Sequence, residues 1–188
     1  TQVMREKVFI LENAALALFT VANYAFIALI YIGGNVYVFR WQEALDVRRL
    51  VLGLDHFKVA SSLSHLGYVA LLKSDFRKAT RLIGESLAMR EAIFPNNHPA
   101  IAASLYLKGR LLHTMGQYKE AGELIVKAQA LRKATLGAKH PAVSQCVWAT
   151  AEITTAMGYP DRAEELYDSS LLMRQQYYPE LELGGGKV

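Results

Sequence analysis

From about residue 57 onward the apolar residues of the chain recur every three or four positions, and the whole pattern recurs with a period of 42. Val59, Ile101 and Val143 stand in register, as do Ala79, Ala121 and Ala163, and Leu82, Leu124 and Leu166. Polar positions keep the same step: His56, His98 and His140, and Arg90, Arg132 and Arg174. Self-similarity at one period, carried by apolar and polar residues alike, predicts a stack of like units that bury their apolar faces against one another. The best-kept unit runs over 98–139.

Within each unit the spacing predicts two helices joined by a tight turn. The pairs are expected over 57–73 and 76–93, turning at Ser74 and Asp75; over 99–115 and 118–136, turning at Gly116; and over 141–157 and 160–177, turning at Gly158. Pro99, Pro141 and Pro160 each open a helix, where a missing backbone donor costs nothing. Leu63, Leu66, Gly67 and Ala70 share one helix face, and the glycine lets the partner helix come close. An amphipathic helix over 35–51, ended by Gly53, precedes the three pairs. The chain thus divides into an apolar N-terminal region (1–39), a return helix and linker (40–55), three repeats (56–97, 98–139 and 140–179) and a flexible, glycine-rich tail (180–188).

The N-terminal region breaks the pattern. No charged side chain stands between residues 13 and 39, and only Thr20 and Asn23 interrupt the apolar run of 13–32. As a helix that run spans about 30 Å, the hydrocarbon thickness of a bilayer. Tyr31, Tyr37 and Trp41 cluster at one end as interface aromatics do, and Arg5, Lys7 and Arg40 flank the run. The favoured expectation is a transmembrane anchor. The competing one is a degenerate first repeat buried under its neighbours or a partner, since Val21 and Ala25 lie one period before Leu63 and Gly67. Against that register stands Tyr37, a bulky ring where later units have Ala79, Ala121 and Ala163.

Composition narrows the function classes. The net charge of +4 is modest and interspersed, which argues against nucleic acid, where Lys and Arg cluster on one face. The single cysteine, Cys146, excludes an internal disulfide framework and reads as a small core residue. The chain begins with Thr1, so it is expected to be a processed or truncated product from which any targeting peptide is gone.

Several of these residues carry a resemblance. Leu63, Leu66 and Gly67, an aromatic after the turn (Phe76 or Tyr118), then Ala121, Leu124 and the pair Leu131 and Arg132, followed by a linker ending in His140 and Pro141, resemble tetratricopeptide repeats. The 42-residue period is similar to the kinesin-light-chain variety. The resemblance implies an all-α fold, a right-handed α-solenoid of helix hairpins whose first helices line a concave, peptide-binding groove. Kinesin light chains carry an asparagine pair on that face of each first helix. Here the positions hold Ser64 and His65, Tyr106 and Leu107, and Trp148 and Ala149. The groove is therefore expected to present Tyr68, Tyr106, Arg110, His113, Trp148 and Glu152, an aromatic-rich face suited to a fixed protein contact.

Chemistry finds no foothold. Equivalent histidines on successive hairpins lie about 20 Å apart, too far to share a metal. His65 and His113 lack companions at ligand spacing. The terminal Gly184, Gly185, Gly186 and Lys187 lack the first glycine, the hydroxyl residue and the following helix of a phosphate loop. Glu164, Glu165 and Asp168 beside Arg162 read as a solvated helix face. The expectation is a non-catalytic scaffold without cofactor, metal or small-molecule substrate, bound to protein subunits or peptide segments. It is placed as an accessory or assembly subunit of a membrane complex, mitochondrial or plastid. The alternatives are a soluble cytoplasmic adaptor reading peptides in its groove, or a regulatory domain cut from a larger protein.

Overall fold

The three registered histidines open three helices. Each has extended backbone, and each turns its Nδ1 to accept the N–H two residues on: Lys58 at 3.2 Å from His56, Ala100 at 3.1 Å from His98, and Ala142 at 3.1 Å from His140. The first amide groups of a helix have no partner within it, so an acceptor here removes an unmet donor. These residues, which the sequence shows only as registered histidines too far apart to share a metal, are helix caps. Replacing His140 by Ala is expected to cost about 1 kcal/mol of stability and replacement by Asn far less; urea unfolding followed by circular dichroism decides, and equal losses for both variants would contradict a capping role.

The computed structural model of the chain describes residues 35–177. Both the apolar run of 13–32 and the tail of 180–188 lie outside them. The described residues form seven helices: α1 (Asn35–Leu52), α2 (Phe57–Leu72), α3 (Phe76–Ile93), α4 (Pro99–Thr114), α5 (Tyr118–Leu136), α6 (Pro141–Ala156) and α7 (Pro160–Tyr177). No strand occurs among them. None of these helices is long and apolar enough to cross a membrane, and the transmembrane expectation falls on residues beyond those described.

Packing is closest within the pairs α2/α3, α4/α5 and α6/α7, and next closest between the second helix of one pair and the first of the next. The first helices also touch in turn, α2 with α4 and α4 with α6. This is a stack in which each pair meets only its neighbours, the arrangement that makes a solenoid. Close approach within a pair depends on small residues. A Cβ on Gly67 would lie 2.6 Å from Ile83 Cγ1, and one on Gly109, a period later, 2.8 Å from Ile125 Cδ1. Ala79, Ala121 and Ala163 are likewise buried on the second helices. Serines tie the pairs further: Ser86 donates to the carbonyl of Ala60 at 2.7 Å, and Ser170 to that of Ser144 at 3.0 Å.

Leu45 of α1 is buried in a cluster with Val59, Leu63, Leu66 and Leu82, so this helix supplies the apolar cover of the first pair. A second cluster joins Leu105, Ala121 and Ile125 to Cys146, Ala149 and Ile153, and so runs from the second pair into the third. Cys146 is a core residue, fully buried. Burial pushes its thiol pKa up, and the nearby Arg132 opposes that shift.

Arg48, Arg90 and Arg132, one period apart, join each unit to the next. Arg90, at the end of α3, donates through Nη1 to the Ala100 carbonyl at 3.2 Å and to Ser104 Oγ at 2.6 Å, both on α4. Arg132, at the end of α5, does the same to Ala142 O at 2.6 Å and Cys146 Sγ at 3.3 Å on α6. Arg48 of α1 reaches Lys58 O at 3.4 Å and the hydroxyl of Ser62 on α2. The acceptors Ser62, Ser104 and Cys146 are themselves one period apart, so one joint is built three times.

Candidate functional site

Aromatic residues on the first helices acquire partners from the second helices of their own pairs. The guanidinium of Arg132 on α5 lies over the ring of Tyr106 on α4, 4.6 Å from its centroid. One period on, Arg174 of α7 lies over Trp148 of α6 at 5.5 Å. Such placement attracts a cation to the negative face of the ring and fixes the ring's orientation. Trp148 is held on further sides, edge-on to Tyr167 at 4.6 Å and donating through its indole nitrogen to Glu152 at 3.2 Å.

These side chains border a hollow of about 370 Å³. Tyr68, Tyr106 and Trp148, from three successive first helices, contribute its rings. Leu107 and Gln145 extend it, and Arg110 and Arg174 supply positive charge. Arg110 is held by an ion pair to Glu152 at 2.7 Å, which links α4 to α6. With both side chains about one-third exposed, the pair sets geometry more than it adds stability. Arg174 has no carboxylate partner among the described residues; its Nε meets Ser144 Oγ at 3.4 Å. Burial pushes the pKa of the Tyr106 hydroxyl up, and neighbouring Arg110 opposes the shift.

Of the six residues expected on the groove, Tyr68, Tyr106, Arg110 and Trp148 line this one hollow, and Glu152 fastens two of them. His113 lies elsewhere, its ring against Tyr118 across the turn of its own pair at 5.7 Å. Leu107, Gln145 and Arg174 are additions. Arg174 could have been found from its register with Arg132, since Tyr106 and Trp148 each precede their arginine by 26 residues. The positions that hold asparagine pairs in kinesin light chains do varied work here. His65 stacks on Trp41 at 4.6 Å, Ser64 shares a hydrogen bond with Ser86, and Ala149 is buried.

The hollow presents rings, two guanidinium groups and an amide. No group of three or more His, Cys, Asp or Glu side chains that could hold a metal occurs among the described residues.

Two family models described as tetratricopeptide repeat match the chain, one over residues 59–100 and one over 97–176. Together they span well over half of its 188 residues. A search of curated proteins found no match. Among solved structures, the nearly identical TPR-like repeats of a kinesin light chain from Podosopora anserina superpose with a TM-score of 0.57 at 21% identity, covering 77% of this chain and 68% of that one. BtubC (BKLC) from P. vanneervenii superposes with a TM-score of 0.62 at 19% identity, covering 79% of this chain and 60% of that one. Identities this low speak for the fold alone.

Proposed function

Because the chain belongs to the tetratricopeptide repeat family, whose repeats mediate contacts between proteins, we propose that it is a non-catalytic scaffold that holds an extended segment of a partner protein against α2, α4 and α6. The observation that carries this reading is the convergence of Tyr68, Tyr106 and Trp148 with Arg110 and Arg174 on one hollow. Rings fixed by their neighbours bury apolar side chains at little entropic cost, and they are the residue types that dominate binding energy at interfaces. Arg174, lacking an acid of its own among the described residues, favours a segment that brings a carboxylate.

A photoreactive amino acid at Gln145, exposed beside Trp148, is expected to cross-link to peptides from a displayed library. The same probe at Lys127 or Glu164, exposed on the second helices, is not. Cross-links confined to Lys127 and Glu164 would overturn the assignment and move binding to the second helices.

A further inference from the structure

A second hollow of about 320 Å³ lies at the joint between the first two pairs, bounded by the start of α2, the end of α3 and the start of α4. Its walls are Phe57 and Phe94, with Ser61 and Ala100 beside them. Phe94 is held parallel to His98, ring centroids 3.9 Å apart and planes 7° apart. Both phenylalanines belong to this joint alone among the repeats, since their positions one period later are Pro99 and Leu136.

The charged member of the lining is Arg90. It is more than nine-tenths buried, with 8% of its surface exposed, and no carboxylate pairs with it among the described residues. Among the described residues its two protein acceptors are both taken by Nη1, and none meets Nε or Nη2. Burial lowers its pKa, as expected of a cation whose charge is incompletely compensated. Its counterpart Arg132 has the ring of Tyr106 over it, whereas the position one period before Tyr106 is Ser64. A buried guanidinium without a counter-charge, beside an apolar hollow near the lower end of the usual ligand-site size, suits an anion with an apolar body.

We propose that this hollow binds a small aromatic carboxylate, its ring between Phe57 and Phe94 and its carboxylate on the buried Arg90 guanidinium. Charge-assisted hydrogen bonds from Nε and Nη2 hold the two oxygens, and the bound anion tightens the joint between the first and second pairs. This site is separate from the groove in its residues and its ligand.

The test is a titration of the isotope-labelled full chain with phenylacetate, with phenylacetamide as the uncharged control, followed by nuclear magnetic resonance. Phenylacetate is expected to shift the signals of Phe57, Phe94, His98 and Ala100 saturably. Phenylacetamide should bind about tenfold more weakly, the effect of removing the charge from the hydrogen-bonded group. Phe57→Ala, at a half-exposed position that leaves the core intact, should weaken phenylacetate binding about tenfold as well, through the lost ring contact. Trp148→Ala should leave it unchanged. No saturation up to about 10 mM, the weak end of small-ligand affinity, equal binding of the amide, or shifts centred on Tyr106 and Trp148 would each overturn the site. None of these outcomes bears on whether the groove binds a peptide.

Discussion

Replacing Arg132 by Ala is expected to lower stability by about 3 kcal/mol and to broaden the unfolding transition. The magnitude follows from what the guanidinium touches. Two hydrogen bonds from a charged donor, to Ala142 O and Cys146 Sγ, contribute about 1.5 to 3 kcal/mol at their strongest, with the sulfur the weaker acceptor. Its placement over Tyr106 adds about 1 kcal/mol. A buried side chain also leaves a void on truncation. The broadening follows from where the residue sits: it joins α5 to α6, so its loss weakens coupling between the second and third pairs more than either pair itself. Arg132→Lys is expected to recover only part, because one ammonium on a flexible stem cannot reproduce the planar fork. Urea unfolding read by circular dichroism measures both effects. A loss below about 1 kcal/mol, the size expected of an exposed polar contact, with an unchanged slope would show that the joint is ornamental.

The helices were legible because a 42-residue register averages away local ambiguity. Any one apolar run admits several readings, but Leu82, Leu124 and Leu166 falling on one face in three successive units admits one. The second helices start and stop where expected, α3 at Phe76–Ile93 and α5 at Tyr118–Leu136, and the first helices end one residue early, at Leu72, Thr114 and Ala156. The difference is the last turn, where Lys73, Met115 and Met157 act as caps. Gly67 was readable for a physical reason: a residue without a side chain amid leucines implies a neighbour too close for one.

Roles across the stack were not readable. Register shows that Arg90 and Arg132 are equivalent, but not that each reaches a carbonyl 10 residues on and a side chain 14 residues on, because side-chain direction between helices depends on how they cross. The same gap hid the caps at His98 and His140: a histidine before a proline reads as linker until its Nδ1 is seen on the amide beyond. Helical periodicity puts Tyr106, Arg110 and His113 on one face, yet the turn into α5 draws His113 toward Tyr118. Arg174 was missed because it reaches the hollow from a second helix.

The largest functional effect is expected from the double variant Arg110→Ala, Trp148→Ala. Trp148 is 39% exposed, so removing its ring costs contact area for a partner more than core packing. Loss of Arg110 also frees Glu152, leaving an unpaired carboxylate where a carboxylate-bearing segment is expected to lie. Truncation of a central aromatic anchor together with a fixed arginine costs at least about 2 kcal/mol, a weakening of about 30-fold. The most direct measurement is calorimetric titration of a library-selected peptide into the wild-type chain, this variant, and a second-helix control carrying Lys127→Ala and Glu164→Ala. The groove account predicts weakening of about 30-fold or more in the first variant and none in the control. Unchanged affinity in the groove variant with helical content intact, or loss in the control alone, would contradict it.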